Sequence, residues 1–380
     1  MADTPVQKGL TPTQWDDQFF AEYVRSNQFA RYQGTDEGSI IQLKDALQRK
    51  AGDSVVFAAV RKLRGSGVRG NEVLEGNEDE LDSRSLKVVV QPIRNAVVLT
   101  DWDEQRSVID MRNAAKPALQ NWIMELWRND LISALGQVAL NANGLPIPFI
   151  NATATQRNNW LAANSDRVLF GNSVSNNTGD AAASLATINN TTGKMTAATI
   201  TLAKRRARLA GSVIGSDGFN RPAIRPYQVK EGANLGQEWY MMFTNSYAFR
   251  DLQNDPVMAQ ANRDARERDV ATNPIFTGGD LVYDGVIIRE IPELNQYMAA
   301  GASGIQVGPS YMCGAQAIGA AWAQRTKSTT DDRDYNFRHG VGVQEIRGMS
   351  KLQFGVGIND TDTLVDAGVF TIYTAAVPDA

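Results

Sequence analysis

Hydrophobic positions along this chain fall into two periods, and the changes between them divide it. Trp15, Phe19, Phe20, Tyr23 and Val24 stand three and four residues apart, which predicts a short amphipathic helix from about Thr13. Phe29, Tyr32, Ile40, Ile41 and Leu43 follow without a sustained period. Residues 1–52 therefore read as an arm that lies on something else, because such a segment cannot cover its own aromatics. From residue 53 the pattern becomes that of strands: 54–60 is β-branched and compact, and 86–93 and 96–99 match it on the far side of a polar span. Residues 53–100 read as a long two-stranded excursion with a glycine-rich, charged tip.

The clearest helical period follows. Thr100 or Asp101 can cap it, with Asp103 or Glu104 completing a capping box. Val108, Met111, Ala115, Leu119, Trp122 and Leu126 form the stripe, broadened by Ile123, Trp127, Leu131 and Leu135. A helix over 103–140 would be about 55 Å long, and Pro117 should kink or break it. Residues 141–194 then lose most of their charge and fill with asparagine and glycine. They read as an inserted, turn-rich lobe with a short helix over 156–163. A second helix is predicted over 196–210, ended by Gly211, a strand over 239–243, a helix over 258–269, and a strand pair turning at Asp284-Gly285. Ser310 can cap a helix over 311–324 rich in small residues. Strands over 341–346, 352–356 and 369–373 close the chain.

Composition narrows the function. With 43% hydrophobic and 21% charged residues the chain is globular. Its 38 Lys and Arg against 42 Asp and Glu give a net charge of −4, which excludes a protein built mainly to grip phosphate backbones. One cysteine, Cys313, excludes an internal disulfide and a thiolate cage, and one histidine, His339, excludes sites needing two imidazoles. The start carries no basic-then-apolar leader pattern, and the longest apolar run, over 54–60, is too short to cross a bilayer. A reducing, cytoplasm-like compartment and no membrane partner are expected.

Charge is segregated on the excursion. Arg61, Lys62, Arg64 and Arg69 have no acidic neighbour, and Glu72, Glu75, Glu78, Asp79, Glu80 and Asp82 have no basic one. Such a tongue can be a solvated tip, or it can dock on complementary charges of a neighbouring copy. Gly65-Ser-Gly67-Val-Arg-Gly70 fits the dinucleotide-binding glycine pattern, but the stretch after it is acidic and glycine-broken where a helix should open on the diphosphate. Lys204, Arg205, Arg206 and Arg208 sit at a helix end where cations complement the dipole, although phosphate could also bind them. His339 reads as a hydrogen-bonded structural imidazole and Cys313 as a small buried hydrophobe. The Asp331–Asp334 and Asp360–Asp362 stretches lack the layout of a calcium loop. No residue is singled out as catalytic, metal-binding or cofactor-binding, and no cofactor is expected.

The order of parts resembles the major capsid proteins of tailed bacteriophages with the HK97-type fold, and more narrowly those of N4-like phages. The likeness is carried by Leu10-Thr-Pro-Thr-Gln-Trp-Asp-Asp-Gln-Phe19, Gly52-Asp-Ser-Val-Val-Phe57, Asp101-Trp-Asp-Glu-Gln-Arg-Ser107, Asn273-Pro-Ile-Phe-Thr-Gly278, Tyr283-Asp-Gly-Val-Ile287 and Tyr311-Met-Cys-Gly-Ala-Gln316. The resemblance implies an α+β fold: N-terminal arm (1–52), extended E-loop hairpin (53–100), spine helix of a peripheral domain (101–140), inserted lobe (141–194), axial domain (195–325) and closing strands of the peripheral domain (326–380). It implies no enzyme but a self-assembling icosahedral head shell around double-stranded DNA, located in the virion and assembled in the host cytoplasm. Its partners would be other copies as pentamers and hexamers, a portal, scaffolding or cement proteins, and DNA held by weak non-specific contact. The residues expected between subunits are the ten charged ones of the excursion together with Trp15, Phe19 and Phe20.

A projecting arm and hairpin suit head-to-tail contacts better than a monomer. Two other readings stay open at this point. One is an encapsulin-like shell of the same fold. The other is a nucleotide-dependent enzyme using the 65–70 loop.

Overall fold

The computed structural model describes residues 29–45, 52–60, 67–71, 73–78, 83–106, 111–211, 221, 223–228, 238–265, 281–357 and 363–379. Two sheets organise them. In the first, Ile318–Arg333 and Arg338–Lys351 form a long antiparallel hairpin, from Ile318 opposite Lys351 to Arg333 opposite Arg338. Gln91–Thr100 pairs antiparallel along its Arg338–Lys351 side. Ile41–Lys44 pairs parallel with Ile318–Ala321 on the other side, and Gln33–Gly34 lies beyond it. The second sheet runs in the order Leu281–Tyr283, Val286–Glu290, Glu238–Thr244, Gln306–Cys313, Val369–Ala375 and Val168–Phe170.

The helix Met111–Leu135 fills the core against these sheets. Its buried ridge is Ala115, Leu119, Ile123, Trp127 and Leu131, at steps of four, while Trp122 and Leu126 are half-buried. Trp127 stacks on Trp322 with centroids 5.3 Å apart. The Arg347 guanidinium lies 4.9 Å from the Trp127 ring and that of Arg325 5.0 Å from Trp322, so cations close both ends of the aromatic pair. Phe29, Tyr32, Ile40 and Ile41 join the same cluster, and Phe29 meets Phe243 edge-on at 5.0 Å. The part of the expected arm over 29–45 therefore buries its apolar side chains in this chain's own core, where strand pairing of Ile41–Lys44 holds it, and not on something else.

The helix expected over 103–140 is, among the described residues, two helices, Asp101–Arg106 and Met111–Leu135, and the second contains Pro117. It ends at Leu135, and the next residue is a glycine that passes beneath Gln296 and Tyr311, where an added Cβ would lie 2.6 Å and 2.8 Å from their polar atoms. Gln137–Leu140 is a strand, anchored by the buried Gln137 amide: its Oε1 accepts from the Lys351 amide and the Ser350 hydroxyl, both at 2.9 Å.

A second correction concerns 311–324, expected as a helix. The structure has Gln306–Cys313 and Ile318–Arg333 as strands, joined through Gln316 in the left-handed region. Residues 307–322 are buried almost throughout, so both faces of these strands are apolar and the alternation that marks a half-exposed strand is missing. The small residues do pack closely, but against a sheet: a Cβ on Gly319 would lie 2.8 Å from Leu352. The strand pair at Asp284-Gly285 agrees with expectation, both residues having positive φ (47° and 71°) as a two-residue hairpin turn requires.

Residues 141–194 are tied into the second sheet through Val168–Phe170, which runs parallel to Val369–Ala375. Helix Ala154–Ala163 opens on a capping box between Thr153 and Gln156 and buries Trp160. Beneath it lies a polar centre. Asp366 accepts from Lys351 Nζ at 3.0 Å, Gln353 Nε2 at 2.7 Å and Trp160 Nε1 at 3.3 Å, while its carbonyl takes the guanidinium of Arg167. Asp366, Lys351 and Arg167 are all buried.

The chain leaves the 83–89 strand by crossing the Arg338–Lys351 strand at Gly348, where a Cβ would stand 2.0 Å from the carbonyl oxygen of Val89. Gly348→Ala therefore forces backbone from backbone. A loss of about 1–3 kcal/mol or more is expected from such overpacking, read as a lowered urea midpoint.

Candidate assembly surfaces

Ser54–Val60 and Ser83–Val89 pair antiparallel, Val60 opposite Ser83 and Ser54 opposite Val89, as the base of the excursion. Strand alternation gives this ribbon two unlike faces. Val55, Phe57, Leu86 and Val88 point inward and pack with Ala321, Leu352, Phe354 and Ala367 of the same chain. Arg84 donates to the Gly357 carbonyl at 2.7 Å. The base is therefore seated on its own body. Outward stand Val56 and Val60, 52% and 65% exposed, beside Lys87. The Ser54 hydroxyl and the Lys87 ammonium hold Asp53 below the usual carboxylate range. Gln91–Thr100, which includes the expected strand over 96–99, does not continue the ribbon; it joins the first sheet.

Of the residues expected between subunits, Arg69, Glu75 and Glu78 are described, and all three are exposed. Glu78 accepts from the Gly76 amide at 2.8 Å and Asn77 donates to the Val73 carbonyl at 3.0 Å, so this stretch is a locally closed turn. It carries two exposed apolar side chains, Val73 (66%) and Leu74 (59%), which a reading centred on charge passed over. Arg61, Lys62, Arg64, Glu72, Asp79, Glu80, Asp82, Trp15, Phe19 and Phe20 lie outside the described residues.

A further exposed apolar group stands at the turn of the long hairpin. Tyr335 and Phe337 of the turn, Trp102 of helix Asp101–Arg106 and Val98 of the edge strand are all exposed. The Asp101 amide donates to the Phe337 carbonyl at 3.1 Å, bringing these elements together.

The groups considered for chemistry are otherwise engaged. Burial pushes the Cys313 thiol up to about 12, so it stays protonated. Tyr311, raised by burial, donates to Gln296 at 2.7 Å. Lys204 is paired with Asp284 and Arg206 with the Ser165 carbonyl, so half of that cationic cluster serves its own fold. After Gly70 the described chain runs in turns until the strand at Ser83, with no helix opening toward the glycine loop. Among the described residues no group of three His, Cys, Asp or Glu side chains forms a metal site.

Two sheets sharing a core helix, with exposed apolar side chains on the 54–60/83–89 ribbon and at the turn of the long hairpin, define the class: an α+β protein matching phage capsid structures of the HK97-like kind. The structure superimposes on the "Cyanophage Pam1 capsid asymmetric unit" with a TM-score of 0.77 at 34% identity, covering 100% of both chains. It matches the "Capsid of Ralstonia phage GP4" in fold, with a TM-score of 0.71 at 21% identity over 93% of this chain and 92% of that one. The "Major capsid protein" of Pseudomonas phage KPP25 is 28% identical over 389 residues, spanning 96% of this chain and 95% of that protein. The model of the phage capsid protein family matches residues 3–378, and the chain belongs to that family. It is a structural, non-enzymatic component of the virion, a major capsid protein forming the shell of a phage head.

Proposed function

We propose that this chain builds an icosahedral head of a tailed, double-stranded DNA phage of the N4-like kind from pentamers and hexamers of itself. The single observation that carries the reading is the end-to-end match to the Pam1 capsid chain. In this reading residues 1–52 form the N-terminal arm, whose 29–45 part is seated in this subunit's own core while the part before it is laid on a neighbour. Residues 53–100 are the E-loop, 101–140 the spine segment, 195–325 the axial domain and 326–380 the return to the peripheral domain. The lobe over 141–194 stays with the subunit that carries it. The outward faces of the ribbon and of the 67–78 stretch meet the next copy, with Arg69, Glu75, Glu78, Val73 and Leu74 at the contact. The charged residues at 61, 62, 64, 72, 79, 80 and 82 and the aromatics at 15, 19 and 20 extend those contacts.

A portal and scaffolding or cement proteins complete the shell, assembly proceeds in the host cytoplasm, and DNA is held loosely. A net charge of −4 suits a container that must release its contents. Negative-stain microscopy and light scattering of the purified protein test this directly. Closed particles or five- and six-membered rings are expected; a persistent monomer, with and without a scaffolding partner, overturns it.

A further inference from the structure

We propose that His339 is a proton-operated clasp that fastens the turn of the long hairpin to the first turn of helix Asp101–Arg106. This goes beyond the shell reading, since nothing in that reading assigns a role to the histidine. The observation is geometric. His339 Nδ1 lies 2.7 Å from Asp332 Oδ1, and His339 Nε2 lies 2.9 Å from Asp101 Oδ1. Ionised carboxylates only accept hydrogen bonds, and a neutral imidazole has one N–H to give. Both contacts are satisfied together only by the imidazolium. When one proton leaves, a ring lone pair faces a carboxylate and one side of the clasp lets go.

The two carboxylates belong to different elements. Asp332 is on Ile318–Arg333, directly opposite His339 in the hairpin, and Asp101 begins the helix that follows the edge strand. From that edge strand Leu99 faces His339, and it is apolar. The nearby charges of the hairpin are occupied with one another: Arg333 with Asp331, and Arg338 with Asp334 at 3.9 Å. On the helix Asp103 takes the Thr100 hydroxyl, and Arg106 lies 5.7 Å from the Trp102 ring. The bond to Asp332, then that to Asp101, and the charges of both raise the histidine above its ordinary range.

The turn has reason to need fastening. Asp334, Tyr335 and Asn336 are three successive residues with positive φ (56°, 53° and 67°), none of them glycine. Backbone of that kind persists only where its surroundings hold it. The clasp, the Arg338–Asp334 pair and the Asp101 amide bond to Phe337 are the holders, and what they hold in place is the exposed Tyr335, Phe337 and Trp102.

The sign follows from linkage. A histidine raised in the folded state lends its stabilisation fully below its unfolded value, about 6.5, and loses it as pH rises through the folded value. The test uses full-length protein labelled with ¹⁵N-histidine; one histidine gives one pair of ring signals. Both nitrogens are expected to be protonated at pH 6, with a midpoint above 6.5, and Asp101→Asn should move that midpoint down. Amide protection over 334–340, taken relative to the intrinsic exchange rate at each pH, should fall severalfold across the same midpoint in the wild type and show no such step in His339→Gln. A midpoint at or below the ordinary value overturns the clasp. So does a single protonated nitrogen at pH 6, or an exchange step that survives His339→Gln.

Discussion

Asp366→Ala is expected to destabilise the subunit by about 3–5 kcal/mol, the cost of breaking a buried ion pair by removing one partner. Lys351 is 1% exposed, and its ammonium has Asp366 at 3.0 Å as counter-charge. Without the carboxylate that charge stays in a site sealed by the Trp160 ring, 5.4 Å away. The Gln353 amide and the Trp160 indole lose their acceptor as well, and each stranded buried donor costs about 1–3 kcal/mol, not additively. Urea denaturation of unassembled subunit checks the loss. Adding Lys351→Met to Asp366→Ala should recover part of it, since an apolar side chain in place of an unpaired charge removes the largest penalty. No recovery would mean that the acceptor role of Asp366, and not its charge, holds this junction together.

That junction explains what the sequence left hidden. Gln137, Lys351, Gln353 and Asp366 are scattered over more than two hundred positions, and each alone reads as an ordinary surface residue. Their meaning comes from strand order, and strand order is non-local. The same reason defeated the 311–324 segment: its alanines favour a helix locally, whereas pairing with Arg338–Lys351 and Val369–Ala375 makes strands of it.

Segments whose signal is local were legible. The ridge of Met111–Leu135, the short helix ending at Ala163, the helix from Thr196 and the Asp284-Gly285 turn follow from side chains within a few residues of one another. At the excursion, charge segregation was the feature legible in the sequence. Charge did not reveal that Val73 and Leu74 stand bare there, or that Phe57 and Leu86 seat the base on its own body.

Deleting residues 61–82 and joining Val60 to Ser83 through Asn-Gly is expected to leave a folded subunit that makes no shells. Folding should survive because Val60 and Ser83 are directly opposite, the geometry a two-residue turn closes. The inward residues Val55, Phe57, Leu86 and Val88 keep all their partners. What disappears is the stretch proposed to meet the next copy. Burying Val73 and Leu74 against a neighbour contributes about 1.5–3 kcal/mol each. A closed shell multiplies a contact of that size, because every subunit is held by several others at high effective concentration.

Circular dichroism and a thermal midpoint within a few degrees of wild type would establish the fold; sedimentation and microscopy would report assembly. Val73→Asp with Leu74→Asp, which keeps the full length of the excursion, should weaken assembly without abolishing it, because the charged residues of the tongue remain. Shells of wild-type yield from the deletion would remove the excursion from the assembly contacts. The head would then have to be held by other contacts, among which the exposed apolar group around Tyr335, Phe337 and Trp102 is a candidate.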